Sequence, residues 1–160
     1  MDELLPVVGG LVVVTFFGGF LAEQRWFGSP RGPFLRGVPV WSEALPEELV
    51  QPLSALPDLT ELDGCWARRD GARLVVWADV NRAQARRYRS MWPYVARVEL
   101  DRRRVGFRLP IGAAVLTLPQ LIVLFPFTAL LLVFNHRRQA PSVRAALRAL
   151  ADHGVLAAGA

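Results

Sequence analysis

The chain has 160 residues, 52% of them apolar, a mean hydropathy of +0.27 and a formal net charge of +5. All 19 basic residues are arginines and there is one cysteine, which excludes an intrachain disulfide framework. The apolar excess sits in two uncharged runs, and the roughly ninety residues between them suffice for one small core and not for two.

The first run, residues 4–22 (LLPVVGGLVVVTFFGGFLA), carries no charge. As a helix it would reach roughly 28 Å, close to the ~30 Å hydrocarbon core of a bilayer, so it is predicted as transmembrane helix 1. The acidic Met-Asp-Glu start and the exit FLAEQ, which has no small-x-small cleavage site, favour an uncleaved anchor over a signal peptide. Thr15 with Gly19 and Gly18 with Ala22 form small-xxx-small faces on which another helix could pack closely.

Residues 23–110 are expected to form a small α+β domain of about four antiparallel strands with one or two helices. Residues 23–44, rich in Gly and Pro, are predicted as an irregular membrane-proximal connector. Leu45, Leu49, Leu53 and Leu56 then recur at helical spacing, with Ser42 as a cap and Pro52 and Pro57 as breaks. CWARRDGARLVVWAD predicts a β-hairpin centred on Asp70-Gly71. VNRAQARRYRSMW, preceded by Asp79 as its cap, predicts a helix ending before Pro93. YVARVEL and RVGFRL alternate as two paired strands, with Tyr94, Ala96, Val98 and Leu100 sharing a face with Val105, Phe107 and Leu109. The stretch WPYVARVELDRRRVGFRL resembles the strand meander of PH-like domains found in some bacterial membrane proteins, on a generic pattern that assigns no family.

The second run, residues 111–134 (IGAAVLTLPQLIVLFPFTALLLVF), is predicted as transmembrane helix 2, kinked at Pro119 and Pro126 with Thr117 as a local partner. Gln120 near its middle needs a hydrogen-bond partner there, so it joins Thr15, Gly18, Gly19 and Ala22 as a helix-packing residue. Residues 135–160 form a C-terminal tail whose short amphipathic helix, 142–153, carries Val143, Leu147 and Leu150 as an apolar stripe suited to a membrane interface. Three arginines follow the first run and none precedes it. By the positive-inside bias the middle domain is expected to be cytoplasmic, on a cell membrane such as a bacterial inner membrane.

Candidate chemistry is sparse. His136 and His153 have no ligand partner at metal spacing, no phosphate-loop or hydrolase motif is present, and the acidic residues are scattered. No catalytic residue, metal or cofactor is expected. The arginines carry the sharper signal. Arg82, Arg86 and Arg89 share a predicted helix face, and Arg102, Arg103 and Arg104 form a turn, so together they suit an anionic surface. The expectation is a non-catalytic accessory or scaffold subunit of a membrane protein complex, with membrane lipid and other subunits or a second copy as partners. The alternative is a tethered regulatory domain that binds anionic lipid or a cytoplasmic partner through these arginines. No nucleic-acid module is recognisable.

Overall fold

The computed structural model describes residues 37–79, 87–88, 91, 94–110 and 125–158, and single positions nearer the N-terminus at Gly10, Val14, Gly18, Leu21 and Arg25. Six strands, β1 (Val38–Ala44), β2 (Leu59–Leu62), β3 (Cys65–Asp70), β4 (Arg73–Ala78), β5 (Val95–Glu99) and β6 (Arg104–Leu109), form one sheet in the order β1-β6-β5-β4-β3-β2. Every neighbouring pair is antiparallel. Strands two to six are thus a simple meander, and β1 closes it by pairing with β6. Helices α1 (Glu47–Ser54) and α2 (Phe125–Ala158) complete the traced elements.

Two tight turns set the register of the meander. Leu62 pairs with Cys65 across Asp63 and Gly64, both at positive φ, which is the backbone a type I′ hairpin demands. Asp70 pairs with Arg73 across Gly71 and Ala72, with Gly71 at φ +62°. The expected hairpin therefore forms, with its turn one residue further along than Asp70-Gly71.

Alternation then divides the sheet into an inner and an outer face. Leu74, Val76, Ala96, Val98, Val105, Phe107 and Leu109 point inward and are buried with Leu45, Leu53 and Leu56 around α1. Val143, Ala146, Leu147 and Leu150 of α2 close the same core. Arg69 fastens α1 to the sheet by donating from Nη2 to the carbonyls of Ser54 at 2.7 Å and Leu56 at 2.9 Å. A cation on these last carbonyls is favourable, because a helix leaves them unpaired and partly negative. On the outer face Trp66, Val75, Trp77 and Val95 form a smaller buried cluster.

Several expectations are corrected here. Among the described residues no helix is long and apolar enough to cross a membrane, so two transmembrane helices flanking a four-stranded domain do not describe this fold. The elements traced in full among the described residues are one six-stranded antiparallel sheet and the helices α1 and α2. The membrane, transmembrane and two-pass descriptions lose their support with it. In α2, residues 125–134 would reach only about 15 Å, and Asn135, His136, Arg137 and Arg138 follow directly. Most of residues 4–22 and 111–124 lie outside the described residues, as do Thr117 and Pro119.

Residues 38–44, expected as connector, form β1, and Ser42 lies in that strand instead of capping a helix. The helix there starts at Glu47 after Pro46 and makes no side-chain cap hydrogen bond. The stripe Val143, Leu147 and Leu150 faces the sheet and is at most 2% exposed, so it is core and not a membrane-facing surface. Its helix also runs unbroken through Pro141. A proline inside a helix costs about 3 kcal/mol. Burial of Ala140 before it, and of Val143, Ala146 and Leu147 after it, offsets that cost.

Cys65 is 1% exposed, and burial pushes its thiol from 9.0 up to about 12. In the unfolded chain the thiol ionises near 9, so its contribution to stability is complete below pH 9 and is lost as pH rises from there towards 12. Urea midpoints should therefore fall between pH 8 and pH 10.5, and less steeply in Cys65→Ala. The folded protein should resist thiol alkylation at pH 8, and rapid labelling without denaturant would contradict this burial.

Candidate functional site: an arginine cradle on the outer face

Pairing places Arg97 of β5 directly opposite Gly106 of β6, and Ser42 of β1 opposite Gly106 on its other side. Arg104 and Arg108 lie two residues before and after that glycine, so they project from the same face. Partners across a sheet are about 5 Å apart and i±2 neighbours roughly 7 Å. Three guanidiniums and one hydroxyl therefore surround a position that has no side chain. The hollow has a volume of about 170 Å³ and is also lined by Pro39, Trp41 and Glu99.

Neutral groups hold two of these arginines. Arg104 donates from Nη2 to Ser42 Oγ at 2.9 Å, and Arg108 donates from Nη1 to the Gly37 carbonyl at 3.1 Å. Neither acceptor cancels a charge. The one carboxylate in the lining, Glu99, faces two arginines outside the hollow, Arg73 at 3.9 Å and Arg102 at 3.8 Å. Burial, with Arg97 and Arg73 adding repulsion, makes the Arg108 guanidinium less basic than usual, while Glu99 opposes the shift. An anion in the hollow would relieve that repulsion.

A second hollow of about 270 Å³ lies between β1, α1 and α2 over Leu45, Leu49 and Leu147. Its polar side is occupied by the protein's own ion pair, in which Arg144 grips Glu43 through Nε–Oε1 at 3.0 Å and Nη2–Oε2 at 2.6 Å. His136 is wedged between Trp41 (centroids 4.5 Å, stacked) and Phe107 (4.9 Å, edge-on), and burial lowers its basicity. Among the described residues no group of three or more His, Cys, Asp or Glu side chains could hold a metal ion.

The residues singled out from sequence fare unevenly. Thr15, Gly19, Ala22 and Gln120 lie outside the described residues, as do Arg82, Arg86 and Arg89. Gly18 is helical, and a Cβ there would meet nothing within 4 Å. Arg102 and Arg103 lie in the β5–β6 turn, with Arg103 at φ +50°, while Arg104 is already the first residue of β6. They do not act together: Arg102 faces Glu99, Arg103 pairs with Glu47 at 3.1 Å, and only Arg104 enters the cradle. Asp79 is buried at the end of β4, where its N–H donates to the Gly64 carbonyl. Arg97 and Arg108 were missed as site residues. The signal was available, because the alternation that sends Ala96, Val98, Val105 and Phe107 inward sends Arg97, Arg104, Gly106 and Arg108 outward. No known protein family, curated protein or solved structure matches the chain.

Proposed function

We propose that the protein is a non-catalytic binding module, an accessory or scaffold component that takes an anionic group of its partner into the outer-face cradle. The observation that carries this reading is the ring of Arg97, Arg104, Arg108 and Ser42 around Gly106, with the Arg104 and Arg108 guanidiniums on neutral acceptors. Guanidiniums suit such a role because they stay charged and present planar pairs of donors. The accessory role draws further support from Leu130, Val133 and Phe134, large apolar side chains exposed along one stretch of α2.

Titration of the isotopically labelled full chain with inorganic phosphate tests the reading by NMR. Saturable shifts are expected at the Gly106 amide and at the Nε–H groups of Arg97, Arg104 and Arg108. The Kd should be on the order of millimolar, corresponding to about 4 kcal/mol, and should weaken with added salt. Gly106→Val supplies the sharper test. A Cβ at this position would come no closer than 3.7 Å to another atom, the Arg97 carbonyl oxygen. Valine also suits a strand, so the variant should fold at least as stably while its side chain fills the cradle. Loss of phosphate binding with an unchanged thermal midpoint is the expected result. Wild-type binding by Gly106→Val, or no saturable shift in either protein, would remove the proposal.

A further inference from the structure

We infer that the cradle selects a terminal phosphate monoester, in preference to a phosphodiester or a carboxylate; this rests on the anion-binding reading above. The inference starts from the number and placement of donors. Among the described residues Arg97 has no carboxylate or hydrogen-bond partner. Among the described residues, Arg104 and Arg108 each use one nitrogen of a five-donor fork on a neutral acceptor. Ser42 Oγ accepts from Arg104 and still has its own hydrogen to donate. The donors come from three strands and stand on different sides of Gly106.

A monoester presents three terminal oxygens in a tetrahedral array, one for each guanidinium. Its single substituent can point away from the sheet, because the floor of the hollow is the Gly106 backbone. A diester has two free oxygens and a second substituent that would have to run along the cradle wall. A carboxylate has two coplanar oxygens, which one guanidinium fork already satisfies. Charge gives the same ranking. Glu99 lines the hollow and acts on Arg108 but is shared with Arg73 and Arg102, and three arginines against this one carboxylate suit a dianion better than a monoanion.

Among the described residues, the charged groups that line the hollow are Arg97 and Glu99 of β5, and Arg104 and Arg108 of β6. Arg73 of β4 stands next to Glu99, and β1 contributes the Ser42 hydroxyl. The second ionisation of a phosphate monoester lies near pH 6. Affinity for a monoester should therefore weaken by about tenfold between pH 7.5 and pH 5, as the dianion gives way to the monoanion. Dimethyl phosphate, which has no such ionisation, reports any change belonging to the protein itself.

The test titrates the full chain, Gly106→Val and Arg97→Gln with phenyl phosphate, a phosphoserine peptide, dimethyl phosphate, acetate and phosphatidylglycerol vesicles. Binding of the two monoesters at least tenfold tighter than dimethyl phosphate and acetate is expected. It should be lost in Gly106→Val, weakened in Arg97→Gln, and should follow the predicted pH dependence. Equal affinity for phenyl phosphate and the peptide would make the phosphoryl group alone the determinant; tighter peptide binding would place that group on a polypeptide. Both support the inference. Equal binding of all small anions, abolished by Gly106→Val, would overturn monoester selectivity while leaving the anion-binding reading intact. Vesicles or dimethyl phosphate outcompeting the monoesters would overturn it in favour of a diester. Absence of binding by every anion would sink both.

Discussion

Replacing Gly154 by alanine should destabilise the protein, although alanine is the better helix former. In the interior of an exposed helix the exchange would stabilise by about 1 kcal/mol. Gly154 is instead buried where α2 crosses α1. A Cβ there would press into the Pro52 carbonyl group, with its oxygen far inside van der Waals contact and its carbon at 3.1 Å; Leu56 Cδ2 would lie at 3.5 Å. The obstacle is backbone, and backbone of a proline whose ring fixes φ. No rotamer change can clear it, so one helix must move off the other. Overpacking of this kind costs about 1–3 kcal/mol, which outweighs the propensity gain and leaves a net loss of up to about 2 kcal/mol. Urea unfolding of wild type, Gly154→Ala and Gly154→Ser would show both variants with lower midpoints, serine no better than alanine. A rise in the Gly154→Ala midpoint would mean that the helices do not approach closely at this point. The usual sequence reading of a glycine near a helix end, a C-terminal cap, gives no hint of this role, because it belongs to a contact with a residue about a hundred positions away.

That distance explains much of what the sequence conceals. The two hairpins centred on Gly71 and on Asp101–Arg102 were legible because their information is local, in a turn flanked by alternating apolar residues. The β2–β3 hairpin is equally local, and its Asp63-Gly64 turn was passed over because residues 59–62 followed a leucine pattern of helical spacing. Strand β1 was not legible. VPVWSEA lies among glycines and prolines, and its strand state is imposed by β6, with Val38 opposite Leu109 and Ala44 opposite Arg104. Pro39 lacks an N–H and is tolerated because β1 is an edge strand with an irregular register at that point. For α2 the stripe of Val143, Leu147 and Leu150 was plain, while its destination was not: an apolar stripe fits a bilayer surface and a sheet equally well.

The cradle was half legible for a related reason. Counting arginines near presumed membrane ends treats Arg97, Arg104 and Arg108 as flanking charges. Sorting the same residues by strand parity puts them on one face with a glycine at the centre. Charge counting discards the register, and the register makes the site. Arg102 and Arg103 show the converse. As sequence they were the strongest part of the basic cluster, yet each meets a carboxylate, Glu99 or Glu47, supplied by another element.

Phe107→Ala should have the largest effect of any single truncation considered. The side chain is fully buried, meets Tyr94 edge-on at 6.3 Å and His136 edge-on at 4.9 Å, and lies on β6 opposite Trp41. It thus joins β5, β1 and α2 at one place. Truncation of a buried phenylalanine costs about 3–5 kcal/mol, against a total stability of roughly 5–15 kcal/mol for a typical domain. A thermal midpoint lower by about 6–20 °C is expected, at roughly 2–4 °C per kcal/mol for a chain of this length. Phe134→Ala is the matched control: the same residue type, on α2 two residues before His136, but 64% exposed. It should change stability by no more than about 0.5 kcal/mol. Similar losses in the two variants would mean that the sheet face of α2 is not the one buried. The acid limb offers a second readout. Burial holds the His136 pKa below its usual 6.5, so the unfolded chain takes up its proton first and stability is lost as pH falls below about 6.5. Phe107→Ala removes one of the two rings that shield the imidazole from water. The variant should therefore be less stable at neutral pH and lose less of its remaining stability on acidification than the wild type does.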